Sequence, residues 1–202
     1  MSFILSWLDS FLNIPALEKQ ELINRLDAPM KFQMVANSTA IVESNDLNIP
    51  DLLEITFHKK KEVAFRAAWM LEYVMTNKPS AFINYIPDLL ELLPRQKNHS
   101  AMRHFTKIVA LLTDKNANAD YKEVVKNIDF EPVIEVLFTW LVDPEMLVAA
   151  KVHCMQSLAN LSPRYDWIKE ELLETIDYLV DIESIAFFAR AKMVKKQLKR
   201  KG

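Results

Sequence analysis

Apolar residues recur along this chain at spacings of three and four, the period of an amphipathic helix. No window alternates convincingly with the period of a strand. The pattern predicts helices near 2–12, 15–26, 29–43, 49–58, 60–76, 80–93, 99–113, 120–127, 130–142, 145–161, 164–180 and 184–200. Prolines mark many of the starts. Asp143-Pro144 and Ser162-Pro163 read as an N-cap followed by the first helical position, where a missing N–H costs nothing. Asn48-Ile49-Pro50, Lys78-Pro79-Ser80 and Glu131-Pro132 read the same way.

The helices fall into pairs, and the second helix of each pair carries small or apolar residues at offsets 0, 4, 7 and 11. These are Val63, Ala67, Met70 and Val74; Ala101, Phe105, Ile108 and Leu112; Val148, Val152, Met155 and Ala159; and Phe187, Ala191, Val194 and Leu198. Ala28, Phe32, Val35 and Thr39 form a weaker first member, and successive starts lie 35, 38, 47 and 39 residues apart. A helix turns about 100° per residue, so each set occupies one narrow stripe. A stripe that recurs at a fixed interval marks a stack of similar units.

Helical pairs repeating near 40 residues, with Phe65-Arg66-Ala67-Ala68-Trp69-Met70-Leu71-Glu72 as the most typical stretch, resemble HEAT or armadillo-type repeats over about residues 15–200. The resemblance implies an all-α, right-handed superhelix of about four to five helical pairs, a single domain over 1–202. In that frame 1–14 is a capping helix, 15–183 holds the repeats, and 184–202 is a last helix with a basic tail. Phe3, Ile4, Trp7, Leu8, Phe11 and Leu12 make the apolar stripe of the cap, expected to lay Trp7 and Phe11 on the first repeat. HEAT repeats place a basic residue directly after the first apolar position and an Asp in the preceding turn. Here the basic residue sits two positions later.

That position, offset 3, holds Lys31, Arg66, His104, Lys151 and Arg190. One expectation is a basic lining of the groove; the other is a set of stems buried at the core margin and paired with carboxylates of neighbouring repeats. Charge is also segregated. The first helices (15–27, 51–58, 80–92, 120–142, 165–183) sum to −14, and the second (30–42, 59–76, 99–112, 145–160, 184–201) to +12. The resemblance assigns the second set to the concave wall, so a chain of net charge −2 becomes acidic outside and basic inside.

Composition removes several chemistries. The one glycine is Gly202, so loops in which backbone N–H groups cradle phosphate, and nucleophile elbows, are absent. Cys154 is the lone cysteine and permits no intrachain disulfide. Its neighbour His153 points about 100° away on a helix, so the two cannot act as nucleophile and base, and Cys154 is expected to be an inert buried thiol. His58, His99, His104 and His153 have no metal-ligand spacing. Asp114-Lys115-Asn116-Ala117-Asn118-Ala119-Asp120 imitates a calcium loop, but Ala119 replaces the needed glycine and Val125 the bidentate glutamate. No cofactor and no metal are expected. The N-terminus lacks a signal peptide's basic region and no uncharged run is long enough to span a bilayer, so the expected compartment is the cytoplasm, without membrane partners.

The function expected is therefore non-catalytic: a scaffold whose basic concave groove binds an acidic segment of another protein. Arg66, Trp69, Tyr73, Arg103, His104, Lys107 and Lys151 are the expected contact residues. The alternative is nucleic-acid binding or DNA repair through the same groove and the tail from Lys192 to Lys201. Trp69 and Tyr73 near Arg66 resemble the basic-aromatic groove of HEAT-like DNA alkylation-repair glycosylases, although no Asp accompanies them to serve as the catalytic carboxylate.

Overall fold

A computed structural model describes residues 18–28, 42–43 and 47–199. The predicted cap over 2–12, with Trp7 and Phe11, lies outside the described residues, as do Lys31 and the tail end Arg200-Lys201. Of the helix predicted over 29–43, Val42 and Glu43 are described, and both are helical.

The described chain is helical throughout its ordered elements. In order they are α1 (Lys19–Asp27), α2 (Ile49–Ile55), α3 (Lys61–Asn77), α4 (Pro79–Phe82), α5 (Ile86–Leu92), α6 (His99–Leu112), α7 (Ala119–Lys126), α8 (Glu131–Val142), α9 (Val148–Leu161), α10 (Ile168–Val180) and α11 (Ile185–Lys199). Asparagines cap several of them. Asn48 accepts from the Asp51 N–H at 3.1 Å to start α2, and Asn98 accepts from Ser100 at 3.0 Å to start α6. The Asn98 amide also donates to the Lys61 carbonyl at 2.9 Å, tying the start of one second helix to the start of the preceding one.

Three sequence expectations are corrected. The helix predicted over 80–93 is α4 and α5 separated by the 3₁₀ turn Ile83–Tyr85 and followed by the 3₁₀ turn Leu93–Arg95. Pro87 and Pro94 remove backbone donors and crowd the preceding turn, which tightens in response. Asp143-Pro144 does not start a helix: Asp143 Oδ1 accepts from the Glu145 N–H at 2.9 Å, and α9 begins only at Val148. Ser162 likewise finishes α9, its hydroxyl donating to the Ala159 carbonyl at 3.0 Å. The next stretch stays a loop because Arg164 donates to the carbonyls of Val125 and Ile128, and the Tyr165 hydroxyl accepts from the Phe130 N–H.

Consecutive second helices lie directly against each other, α3 on α6, α6 on α9 and α9 on α11. Three of them also pack on their own first helices, α3 on α2, α9 on α8 and α11 on α10. The buried apolar residues form one core from Leu22 to Leu198. Recurrent hydrogen bonds join each unit to its neighbour: Gln96 to the Thr56 carbonyl, Tyr121 to the Met75 carbonyl, Asn160 to the Ala110 carbonyl and Gln197 to the Ala159 carbonyl. Each adds a donor to a carbonyl at or near a helix end, where no backbone N–H of the next turn is available.

Candidate functional surface

The offset-3 column is a set of structural ties rather than a row of open cations. Arg66 donates to the carbonyl of Leu26 and, at 3.0 Å, to that of Ala28, completing the C-terminal end of α1. Its Nε is buried without an acceptor. His104 is buried and holds Glu72 through Nδ1 at 2.7 Å, while its Nε2 is buried and unpartnered. Lys151 is 1% exposed and pairs with Glu183. Arg190 donates to Gln156 at 3.3 Å. Hydrogen bonds to carbonyls and amides fix where Arg66 and Arg190 point without removing their charge, whereas Lys151 is compensated by Glu183. Reversing Arg66 would set a carboxylate against the two carbonyls at the end of α1.

The other expected contact residues differ among themselves. Arg103 is exposed on α6. Lys107, one turn on, pairs with Glu72 Oε1 while keeping 39% of its side chain exposed. Glu72 thus serves two side chains of the next repeat. Burial pushes its carboxyl up, but the hydrogen bonds from His104 and Lys107 outweigh this and hold it below the ordinary carboxylate value. Trp69 and Tyr73, four residues apart on α3, stack with centroids 5.8 Å apart and planes at 30°, both half-buried on the edge of the core. Phe65 lies against the His104 ring at 5.2 Å.

Sequence reasoning set His153 aside for want of a metal partner, and it passed over three amides. His153 is half-buried on α9, and burial together with the nearby charges of Lys107 and Arg190 lowers its pKa to about 4, with Arg103 contributing and Glu72 opposing. Beyond it Gln156 donates to Asn160 at 2.9 Å and to Gln197 of α11 at 3.0 Å. His153, Gln156 and Asn160 recur at helical spacing on α9, a signal legible in the sequence but indistinguishable there from an ordinary solvated face. A polar seam therefore crosses the second-helix layer: Glu72, then Arg103 and Lys107, then His153, then Gln156 and Arg190. It brings His104 and Lys107 together on Glu72, with Arg103 one turn before Lys107 on the same helix. Lys151, in contrast, turns to Glu183, and Arg66 to α1.

Among the described residues no group of three or more His, Cys, Asp or Glu side chains is arranged to hold a metal. The run from Asp114 spends its side chains on its own backbone, with Asp114 accepting from Asn116 at 2.7 Å and Asn118 from Asp120 at 2.8 Å. Cys154 is buried, and burial pushes its thiol far above the ordinary range. Among the described residues no helix is long and apolar enough to cross a membrane.

A family model for the HEAT repeat domain matches residues 22–198. No curated protein matches the chain, and no solved structure matches it.

Proposed function

The chain belongs to the HEAT repeat domain family, whose repeats generally serve as protein-interaction scaffolds, and from that premise we propose that its second-helix layer receives an acidic segment of another protein. The observation that carries the reading is the polar seam, where exposed Arg103 lies one turn from half-exposed Lys107 on α6 and the charges of both, with Arg190, act on half-buried His153. A low-dielectric surface with such an excess of positive charge attracts anionic groups and repels cationic ones. The Trp69–Tyr73 stack beside Glu72 supplies a rigid aromatic platform for apolar residues of the same segment. In this reading Arg103, Lys107, Trp69 and Tyr73 do the contacting, while Arg66, His104 and Lys151 hold the scaffold in register. The role is non-catalytic, and the cytoplasm is the compartment in keeping with a lone buried thiol.

The test uses a labelled peptide rich in Asp and Glu with interspersed leucines, titrated against the whole chain at low and moderate salt. Binding should weaken at least about tenfold on Arg103→Glu and survive Arg103→Lys, with thermal stability unchanged in both. A single-stranded oligonucleotide serves as the competitor. Preference for it, with a steep salt dependence, would transfer the seam to the nucleic-acid reading.

A further inference from the structure

The last described helix carries a second stripe. Phe187, Ala191, Val194 and Leu198 of α11 are buried against the array. One residue further on, Phe188, Lys192, Lys195 and Lys199 repeat the same spacing about 100° around the helix. The corresponding second stripe of α3 is Ala64, Ala68, Leu71 and Met75, and all four are buried. That of α6 begins Met102, Thr106, Val109, also buried. In α3 and α6, then, this stripe is occupied by neighbouring elements of the array. In α11 it is open: Phe188 is 49% exposed, and with Val180 and Ala191 it floors a cavity of about 620 Å³ rimmed by Lys192, Lys196 and Lys199. Lys195 on the same rim pairs with Asp177 of α10. Lys192, Lys196 and Lys199 have no carboxylate partner among the described residues.

We propose that this groove between α10 and α11 docks an amphipathic helix of another protein, one with an apolar stripe flanked by Asp and Glu. The shape follows from the groove itself, an apolar floor of Val180, Phe188 and Ala191 running along α11. The apolar floor calls for apolar anchors, and the lysine rim calls for carboxylates beside them. Charge decides against the nearest alternative: a second copy meeting this face across a two-fold axis would set lysines against lysines. The surface is separate from the seam around Arg103, and its occupancy does not depend on the function proposed for that seam.

A labelled helical peptide with leucines on one face and glutamates on both flanks is the probe, measured by anisotropy against the full chain. Its counterpart has lysines in place of the glutamates. The glutamate helix should bind and the lysine helix should not. Lys192→Glu with Lys196→Glu and Lys199→Glu should weaken the glutamate helix by more than tenfold and admit the lysine helix. Phe188→Ala should weaken the glutamate helix, and Arg103→Glu should leave its binding unchanged. All four substituted residues on α11 are exposed, and circular dichroism checks that each variant keeps its helix content. Equal binding of the two helices, or indifference to the triple reversal, overturns the proposal. So does stronger binding to vesicles containing phosphatidylserine than to the glutamate helix, or dimerisation of the chain through this face in sedimentation.

Discussion

Lys151 of α9 reaches Glu183 in the turn before α11, and the pair is withdrawn from water, with side-chain exposures of 1% and 13%. Removing one partner of such a pair strands a buried charge, whereas replacing both with apolar groups can be neutral or stabilising. Glu183→Gln should therefore lower stability by about 3 kcal/mol or more, while the double change Lys151→Met with Glu183→Leu should recover most of the loss. Urea unfolding followed by circular dichroism measures both. Equal stability of the single and double variants would mean that the pair is not coupled.

Arg66 makes a charged donor's contacts with two carbonyls at the end of α1. Arg66→Ala should cost about 1–3 kcal/mol, the range for hydrogen bonds to charged groups and for carbonyls left without a partner. Arg103→Ala, on an exposed site, should stay within about 0.5 kcal/mol. Hydrogen exchange localises the effect: amides of residues 22–28 should exchange faster in the Arg66 variant and unchanged in the other. A uniform acceleration along the chain would contradict the tie to α1.

His153 gives the protein an acid-sensitive limb. Its pKa falls from 6.5 in the unfolded chain to about 4 in the folded one, chiefly through burial. Above pH 6.5 neither state holds the proton. Between 6.5 and about 4 the unfolded chain takes it up and the native chain does not, so stability falls as pH falls through that window. His153→Gln should flatten this limb. Glu72 acts lower down, its depressed carboxyl contributing stability that is lost as pH drops below the ordinary carboxylate range. Melting temperatures from pH 7 to pH 3 separate the two, since Glu72→Gln should leave the upper limb in place.

Cys154 should resist thiol reagents. Its side chain is fully buried and burial favours the unreactive protonated form. Labelling of the native protein should be limited by opening of α9 and run about a hundredfold or more slower than in denaturant. Prompt labelling at neutral pH would show the thiol to be accessible.

The stripes of α3, α6 and α11 are legible in the sequence because each helix has one apolar face, and all their offset positions are buried. In α9 the reading slips. Met155 and Ala159 are buried, but Val148 and Val152 are only half-buried, while Lys151, Cys154 and Leu158 are buried instead. Apolar and small residues of α9 spread to both sides of its polar edge at His153, Gln156 and Asn160, so period alone does not choose the buried face, and the Lys151–Glu183 pair fixes one that no pattern could announce. The same limit explains the basic column. Its spacing is visible in the chain, but whether a cation faces solvent or a neighbouring carbonyl depends on contacts about one repeat away. Proline positions were ambiguous for a related reason: Asn48 caps the helix ahead of Pro50, whereas Ser162, also before a proline, closes the helix behind it.

The ties between neighbouring units also bear on how the chain is made. Arg66 meets residues 38 and 40 positions earlier, Gln96 one 40 earlier, and Gln197 one 38 earlier. A ribosome adding about 5–20 residues per second delivers each such partner about 2–8 seconds after the last. Helices form and dock far faster than that. Each new pair can thus settle on a finished surface while the remainder is still being synthesised, and no early segment has to wait for the distant end. Buried charges look forward instead: Glu72 needs His104 and Lys107, 32 and 35 residues downstream, and Lys151 needs Glu183, 32 residues downstream. Until that glutamate emerges, Lys151 lacks the carboxylate it meets in the finished fold, so α9 should reach its final packing only once the turn before α11 has been made.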